Sequence, residues 1–382
     1  MKVIYICLEQ PYIDNWGYHE NILPKYTKNL GCESVVIGSR DIFPNFLKNK
    51  YEYLNKTVPY EIDGVKIIRL KSKVNILNRL VIHSNLLKTI EDENPDIIYL
   101  HGAQSLSLLT LVKYKKRKGC KLIVDFHSDY GNSGKGKLSR NILHKLIWKS
   151  VIKHSEKNID KLYCISPWVK EFVKDTYNIK EHNIEMTYLG ADDDKVNFND
   201  KELIRKNIRA KLNIGIKDKV IISGGKINKD KNIDKLINAV DNINDENIKL
   251  IIFGSIEKEY ADEIEPLLNS SNKTSYVGWI NAEEIYNYYL ASDIAVFPGT
   301  QSALWQQAIY CGLPLIVKKW PMSDYLNDGN VLFLESDNVD EIENKINYII
   351  HDENKMNEMS KISIRAGQEK FSYTMIAKKI LE

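Results

Sequence analysis

Short apolar runs rich in β-branched residues alternate along the chain with longer segments whose apolar positions recur every three to four residues. The short runs predict strands and the longer segments predict helices. The predicted strands are Val3–Cys7, Ser34–Gly38, Val65–Leu70, Ile97–His101, Lys121–Phe126, Lys161–Ile165, Lys219–Ser223, Lys249–Gly254 and Ile294–Pro298. The predicted helices are Asn21–Leu30, Leu77–Asp92, Ser139–Lys157, Ile233–Asn242 and Ala282–Leu290. This alternation indicates an α/β fold with parallel sheets covered on both faces.

The polar stretch ADDDKVNFNDKE, which follows Gly190, interrupts the alternation. A chain of 382 residues is long enough for two or three domains of roughly 150 residues each. We therefore predict an N-terminal domain over residues 1–190 and a C-terminal domain over residues 191–369. The content of 43% hydrophobic and 27% charged residues is typical of globular proteins and excludes a disordered chain.

The class of protein would be narrowed by membrane-spanning segments, a secretory segment or cysteine spacings typical of disulfides or metal sites. No apolar run approaches the roughly 20 residues that cross a bilayer, and Glu9 interrupts the N-terminus before a secretory segment could form. We therefore expect a cytoplasmic protein. The five cysteines are scattered without a metal-ligand spacing, so neither a disulfide framework nor a structural zinc site is expected.

Charge is distributed unevenly between the two halves. Up to Gly190 there are 30 Lys and Arg residues against 20 Asp and Glu, and after it 24 against 31, which gives net charges of +10 and −7. The basic excess predicts an anionic partner for the N-terminal half. Nucleic acid is not expected, because the sequence has no zinc-finger spacing, RNP-type aromatic motif or basic zipper. An anionic membrane surface fits the excess at least as well.

A basic amphipathic helix is predicted over Ser139–Lys157. One stripe of this helix consists of lysines that recur every four residues: Lys145, Lys149, Lys153 and Lys157. The apolar residues Leu138, Ile142 and Ile152 are expected beside these lysines. A second stripe, expected to face the core, consists of Leu143, Ile147 and Val151. A second basic cluster spans Lys113–Lys118, and a Gly/Ser/Lys loop over residues 129–137 follows His127. We predict that this face docks on anionic membranes. A solvated lysine face is the alternative.

Two loops in the second half carry candidate chemistry. In the first, a strand ends in Gly224 and Gly225, and Lys226 and Lys231 follow before a helix. Such glycines allow close approach of a ligand to the backbone, and the two lysines could neutralise a diphosphate. A glycine turn before a solvated lysine-rich helix is the alternative.

The second loop, FPGTQSA, joins a strand to a helix. Its amides at Thr300, Gln301, Ser302 and Ala303 would point toward an anion at the helix N-terminus. An ordinary strand-to-helix turn with a serine cap is equally compatible with these residues.

Taken together, the whole chain resembles the GT-B glycosyltransferases, and most closely the retaining family-4 enzymes. The segments that carry the resemblance are GYHENILPKYTKNLGCESVVI, PDIIYLHG, DFHSD, YLGADDDKVNF, GGKINKDKNIDKLINAV, YVGWINAEEIYNYYLASDIAVFPG and QAIYCGLPLIV. The resemblance implies two Rossmann-like domains facing across a cleft, with a last helix, residues 370–382, crossing back to the first domain.

The resemblance also assigns roles to particular residues. Lys226 and Lys231 would contact the donor diphosphate, and His127 of DFHSD would lie by the donor sugar. Gly17, in the loop before the first helix, and Gly224, Gly225, Thr300, Gln301, Ser302, Ala303 and Gln307 would bind the donor. His19 and His101 are weaker candidates for the site, whereas Glu20 and Asp129 are expected to be solvated.

The chain departs from the family at its EX7E motif. The first glutamate falls on Gly299 and the second on Gln307. Gln307 can still hydrogen-bond ribose hydroxyls, because an amide both donates and accepts. Gly299 cannot replace a side chain, so the neighbouring TQS residues are expected to contact donor oxygens instead.

The function implied by the resemblance is that of a retaining, hexosyltransferase-type enzyme without metal or cofactor. The donor would be a nucleotide sugar, with UDP as the expected nucleotide, and the acceptor a glycan or lipid-linked molecule of bacterial surface polysaccharide or glycolipid synthesis. The enzyme would be peripheral on the inner face of the cytoplasmic membrane. Two alternatives stay open: a GT-B sugar-nucleotide epimerase, and a nucleotide-sugar-binding protein without transfer activity.

Overall fold

The computed structural model describes residues 1–41, 56–133, 136 and 139–382. Within these ranges the chain forms two compact units. The N-terminal unit contains Met1–Leu189 together with Ile376–Glu382, and the C-terminal unit contains Gly190–Met375. The boundary between the two units lies at Gly190, where the polar stretch begins.

The N-terminal unit is built on an eight-stranded sheet, and a two-stranded hairpin is attached to it. Its strands are β1 (Lys2–Cys7), β2 (Glu33–Ser39), β3 (Tyr60–Ile62), β4 (Val65–Leu70), β5 (Ser72–Ile76), β6 (Leu80–His83), β7 (Ile97–Leu100), β8 (Lys121–Phe126), β9 (Lys161–Cys164) and β10 (Ile184–Met186). The sheet order is β10-β9-β8-β7-β1-β2-β4-β3, and β5 pairs with β6. Neighbours in the sheet are parallel except β3 and β4. The strand order therefore reverses at β1.

Helices cover both faces of this sheet, which explains why its strands are apolar along nearly their whole length. The helices of this unit are α1 (His19–Asn29), α2 (Leu86–Glu93), α3 (Ser107–Lys118), a π-helix (Ser139–Trp148), α4 (Lys149–Ser155) and α5 (Pro167–Tyr177). In β1 every residue after Lys2 is buried. In α5, the Ser166 side chain caps the helix by accepting a hydrogen bond from the Val169 amide.

The C-terminal unit contains a six-stranded, all-parallel sheet. Its strands are β11 (Lys219–Gly224), β12 (Ile248–Phe253), β13 (Thr274–Tyr276), β14 (Ile294–Phe297), β15 (Leu315–Lys318) and β16 (Val331–Leu334). Their order, β13-β12-β11-β14-β15-β16, is the doubly wound order of dinucleotide-binding domains. The reversal falls between β11 and β14, where such sheets place their ligands.

The helices of the C-terminal unit pack an apolar core against this sheet. They are α6 (Lys201–Lys211), α7 (Ile233–Asn242), α8 (Ala261–Ser270), α9 (Ile285–Ala291), α10 (Leu304–Tyr310), α11 (Val339–Ile350) and α12 (Glu353–Lys370). The last helix, α13 (Tyr373–Leu381), enters the N-terminal unit from Ile376 onward. There the Lys379 ammonium donates to the Met186 carbonyl at 2.7 Å.

Each strand predicted from the sequence is present, and the predicted helix Ile233–Asn242 is α7, so the α/β alternation is confirmed. The helix predicted over Leu77–Asp92 is wrong in its first half. Residues 77–83 form the turn of the hairpin and β6, and α2 begins only at Leu86.

The helix predicted over Ser139–Lys157 also differs. It is a π-helix up to Trp148, and its buried residues include His144, Trp148 and Ile152. Ile152 is fully buried, which corrects its placement on the outer face. Lys153 pairs with Glu156. Leu138, Gly134, Lys135 and Lys137 of the preceding loop lie outside the described residues.

The basic cluster Lys113–Lys118 lies away from the predicted site. It forms the C-terminal end of α3, which leads directly into the amino end of β8. His127 follows the carboxyl end of the same strand. The cluster and His127 are therefore at opposite edges of the sheet.

Candidate active site

In the N-terminal unit, the candidate site lies at the carboxyl edge of the sheet, where the strand order reverses between β1 and β7. His101 directly follows β7, Asp125 is the last residue but one of β8, and His127 directly follows β8. His19 is the first residue of α1, which follows β1. Four polar side chains that are distant in sequence are thus brought together by the parallel topology.

The Asp125 carboxylate is the centre of this histidine cluster. Its Oδ2 lies 2.9 Å from His101 Nδ1, 3.0 Å from His127 Nε2 and 3.7 Å from His19 Nε2. Its Oδ1 accepts a hydrogen bond from the Gly102 amide at 2.8 Å. Asp125 and His101 are fully buried, and the His127 side chain keeps 15% of its surface exposed. His127 is therefore the residue of the histidine cluster that a ligand can reach most easily.

The charge of Asp125 determines which imidazole is protonated. Burial alone would raise the pKa of Asp125, but the charges of His127 and His101 hold it well below its usual range. Burial alone would lower the pKa of His127, but the Asp125 carboxylate raises it to about 9. Burial, together with His101, keeps the pKa of His19 well below its usual value. The Asp125 carboxylate therefore favours the protonated form of His127, whereas burial favours the neutral form of His19.

The loop that leads from β1 to His19 is held by a buried arginine. Arg69 donates to the Tyr12 carbonyl at 2.8 Å and to Asp14 Oδ1 at 2.6 Å. The predicted donor-binding Gly17 lies further along this loop, two residues before α1, and is exposed. Its backbone is therefore accessible.

Two carboxylates near the histidine cluster, those of Glu20 and Asp129, have different environments. Glu20, predicted to be solvated, is only 7% exposed, because the first turn of α1 packs over the histidine cluster. Asp129 accepts hydrogen bonds from the amides of Gly131 and Asn132 at 2.7 and 2.8 Å. It is a loop residue, as predicted.

The cluster also contains donor sets that suit a divalent cation. Ligand atoms of His19, His101 and Asp125 all lie within 4.8 Å of one another, and so do those of Glu20, His101 and His127. Imidazole and carboxylate are ligands for zinc and similar metals. In both sets, however, His101 Nδ1 is already held by Asp125, which leaves Nε2 as the nitrogen that a cation could use.

In the C-terminal unit, the candidate site lies at the carboxyl ends of β11 and β14. The loop over residues 225–232 follows β11, and the loop over residues 298–303 follows β14. Four hydrogen bonds join them. The Thr300 amide donates to the Asp230 carbonyl at 3.0 Å, and the Asn232 side chain donates to the Pro298 carbonyl at 3.0 Å. Lys231 Nζ donates to the carbonyls of Thr300 at 2.9 Å and Gln301 at 3.3 Å. The two loops that the sequence singled out form one substructure.

The two predicted diphosphate lysines are in different environments. Lys231 is partly buried and also approaches the Gln301 carbonyl at 3.3 Å, and burial lowers the pKa of its ammonium group. The Lys226 side chain is 70% exposed and pairs with Glu257, and this hydrogen bond raises its pKa. Lys231 is thus held within the loop substructure, whereas Lys226 extends from it into solvent and is held by its ion pair with Glu257.

The backbone around these two loops explains why residues 224, 225 and 299 are glycines. A Cβ on Gly224 would lie 2.2 Å from the Phe253 carbonyl oxygen, and Gly225 has φ = +114°. A Cβ on Gly299 would lie 2.2 Å from the Asp230 oxygen and 2.4 Å from Lys231 Cα. Residue 299 is where the family has the first glutamate of EX7E. In this chain the space that its side chain would need is filled by the backbone of Asp230 and Lys231.

The amides predicted to bind an anion are only partly accessible. The Thr300 amide donates to Asp230, so it is not available to a ligand, which corrects that prediction. Ser302 Oγ accepts from the Leu304 amide at 3.3 Å and caps the start of α10. In the stretches that the structure describes, the Gln301, Ser302 and Ala303 amides have no backbone or side-chain acceptor.

Gln307 lies on α10, one turn beyond this loop. Its Oε1 is buried and has no hydrogen-bond partner among the described residues. A buried amide oxygen without a donor is costly, since it has lost its water without replacement. A ligand hydroxyl that reached this atom would supply the missing donor.

Two family models match the chain, one for each half. The model of "Glycosyltransferase Family 4" matches residues 25–195, and the model of "Glycosyl transferases group 1" matches residues 204–366. With the two Rossmann-like units and their loops, these matches define the class: the chain belongs to the GT-B glycosyltransferases. Within that class, its halves are of the family-4 and group-1 types.

Individual relatives are distant. The alpha-monoglucosyldiacylglycerol synthase of Streptococcus pneumoniae is 24% identical over 260 residues, which are 64% of this chain and 56% of that protein. The chain spans about half the length of the curated relatives that it matches.

Solved structures share the fold. A glycosyltransferase from Rickettsia africae has a TM-score of 0.70 at 16% identity, covering 100% of this chain and 96% of that one. The Anabaena protein HepE, in complex with UDP-glucose, has a TM-score of 0.65 at 14% identity, covering 100% and 98%. Among the described residues, no helix is long and apolar enough to cross a membrane.

Proposed function

We propose that the protein is a retaining glycosyltransferase that moves a hexose from a nucleotide sugar, with UDP as the nucleotide, to a glycan or lipid-linked acceptor. The observation that supports it most is the joined pair of loops around Lys231, located at the strand-order reversal of a dinucleotide-type sheet. The structural neighbour HepE forms a complex with UDP-glucose.

The donor would bind to the C-terminal unit. Lys226 and Lys231 would neutralise the diphosphate, and the amides of Gln301, Ser302 and Ala303 would donate to its oxygens. Gln307 Oε1 would accept a hydrogen bond from a ribose hydroxyl. Lys231 is held in place by the loop carbonyls before the reaction, so it can stabilise the charge that develops on the leaving diphosphate. Lys226 would have to leave Glu257 to do the same.

The transfer would proceed on one face of the sugar. The bond from the anomeric carbon to the diphosphate oxygen breaks, and the bond to the acceptor oxygen forms on the same side. The acceptor proton passes to the departing phosphate oxygen, so no carboxylate base, metal or cofactor is needed. Protonated His127 would donate a hydrogen bond to the transferred sugar, in keeping with its raised pKa.

The acceptor would be a lipid-linked or glycan molecule at an anionic membrane surface on the cytoplasmic side. The basic character of the N-terminal half supports this part of the proposal. So does the Streptococcus pneumoniae relative, whose name describes synthesis of a glycolipid.

A panel of UDP- and GDP-sugars tests the proposal, with release of nucleoside diphosphate as the readout. We expect slow hydrolysis of one UDP-sugar, lost in Lys231→Ala and retained in Lys229→Ala. Lys229 is a suitable control because it is 79% exposed and pairs with Glu263. Interconversion of the sugar on intact UDP would instead identify an epimerase, and binding without turnover would identify an inactive binding protein.

A further inference from the structure

The hairpin of β5 and β6 presents an apolar face to solvent. Val74 pairs across the strands with Ile82, and Ile76 pairs with Leu80, so these side chains lie on one face. Val74, Ile76 and Ile82 are 39%, 53% and 48% exposed. On the opposite face, Val81 is buried against the unit. A half-buried hairpin normally has polar residues outside, so this one has an unusual outer face.

The tip of the hairpin is more unusual still. Leu77 and Asn78 both have positive φ, +55° and +53°, as the two central residues of a type I′ turn require. Asn, Asp and Gly are the residues favoured there, and a leucine is a poor choice. Leu77 is nevertheless the most exposed large apolar residue described, at 88%. The backbone conformation holds this side chain outward, away from the protein.

The base of the hairpin is firmly attached. The Asp41 carboxylate accepts a hydrogen bond from the Ser72 amide at 3.1 Å, and His83 Nε2 lies 3.2 Å from Ser39 Oγ. The Ser84 amide donates to the Lys71 carbonyl at 3.0 Å. The apolar tip is thus a fixed projection from the unit.

The π-helix carries two further exposed apolar residues. Ile142 and Leu146 are 48% and 61% exposed. Leu80 of the hairpin and Leu143 and Ile147 of the π-helix pack against the same apolar core of the unit. The charge of Arg79 also lowers the pKa of His144, together with burial. The hairpin follows the carboxyl end of β4, and the π-helix comes after the carboxyl end of β8. Both therefore belong to the edge of the sheet that carries the histidine cluster.

The two segments that carry these apolar residues contain basic charges only, and the Asp41 carboxylate is bound at the base of the hairpin. The sequence contains no Asp or Glu from Val65 to Ile90, nor from Tyr130 to Ser155. The exposed basic residues that the structure describes in the two segments are Lys71, Lys73, Arg79, Lys88, Arg140, Lys145 and Lys153. Apolar side chains surrounded by cations are complementary to a bilayer with anionic headgroups.

We propose that the hairpin Ser72–His83 is a membrane anchor that inserts its apolar tip, Ile76 and Leu77, into an anionic bilayer surface. Ile142 and Leu146 of the π-helix add to the inserted area, and Arg79 and Lys145 contact headgroups. The anchor deepens the proposed membrane contact and rests on it. It brings the histidine cluster to the surface where a lipid-linked acceptor is found.

Site-specific fluorescence tests the anchor directly. All five native cysteines are buried, so a single exposed cysteine can be labelled selectively. Leu77→Cys in the full chain would carry an environment-sensitive fluorophore. Leu203→Cys is the matched control, because Leu203 is 58% exposed and belongs to the C-terminal unit. Phosphatidylcholine vesicles are used with and without about 30 mol% phosphatidylglycerol, which supplies the anionic headgroups.

We expect the label at position 77 to shift to the blue and to be quenched by tail-labelled lipid, with anionic vesicles only. The label at position 203 should not respond. Binding of the unlabelled protein should weaken about 10- to 100-fold in Ile76→Ser/Leu77→Ser, because two side chains lose their apolar environment. It should weaken about 5-fold for each of Arg79→Gln and Lys145→Gln.

A label at position 77 that stays in water in the presence of anionic vesicles overturns the anchor. So does a blue shift that needs no lipid and grows with protein concentration, since a second copy of the chain would then cover the hairpin. Donor turnover of Ile76→Ser/Leu77→Ser is measured in parallel and should equal that of the wild type. If no donor is turned over while the label enters the bilayer, the anchor stands and the transferase proposal falls.

Discussion

Replacement of Asp125 by asparagine is the sharpest perturbation of the histidine cluster. The change keeps the shape of the side chain but removes the charge that lies 3.0 Å from His127 Nε2 and 2.9 Å from His101 Nδ1. His127 then retains the burial that lowers its pKa and loses the carboxylate that raises it. We expect its pKa to fall from about 9 to below the ordinary value near 6.5.

The size of the effect follows from the pKa. A rise from 6.5 to about 9 corresponds to about 3 kcal/mol of interaction in favour of the protonated ring. Because the folded-state pKa is raised, this stabilisation is fully present below pH 6.5 and disappears as the pH rises through about 9. The stability difference between the wild type and Asp125→Asn should therefore narrow by about 3 kcal/mol between pH 6 and pH 10.

NMR titration of histidine-labelled protein measures the pKa directly, with His127→Gln to assign the resonance. Asp129→Asn is the matched control, since it makes the same change four residues further on, where the carboxylate binds only loop amides. Its His127 titration should match that of the wild type. An unchanged His127 pKa in Asp125→Asn would refute the assignment of Asp125 as the centre of the cluster.

Three further outcomes follow from the site. Lys231→Ala should weaken UDP binding about 10- to 150-fold by calorimetry, and Lys226→Ala less, because Lys226 is exposed and shared with Glu257. His127→Ala should lower kcat more than it lowers UDP affinity, and turnover equal to the wild type would remove it from the chemistry. Gly299→Ala should destabilise the fold by about 1–3 kcal/mol in urea unfolding, because its Cβ meets the neighbouring backbone, and an unchanged midpoint would argue against that packing.

The sequence predicted the sheets well because their strands are buried on both faces and read as continuous apolar runs. The sequence pattern does not predict the hairpin of β5 and β6, and the reason is specific. Ile76, Leu77, Leu80 and Val81 have the spacing of an amphipathic helix, and the turn contains no glycine that would reveal it. Only the pairing of the strands shows that Ile76 and Leu77 face solvent.

The sequence singles out Lys226, Lys231 and His127 as candidate site residues, but it does not indicate which groups hold them. Asp125 is a charged residue inside an otherwise apolar strand, which was the available signal for a central role. Its contacts with His19 and His101 depend on strands far apart in sequence. The same is true of Gly299, whose need for glycine comes from Asp230 and Lys231.

The central claim is that a sugar is transferred from a nucleotide donor with its anomeric configuration retained. Proton NMR of the enzyme with the UDP-sugar identified by the panel follows the anomeric signal in real time. We predict a first product with the same anomeric configuration as the donor, formed together with UDP and before mutarotation. A product of opposite configuration, or a new sugar still attached to UDP, would contradict the account.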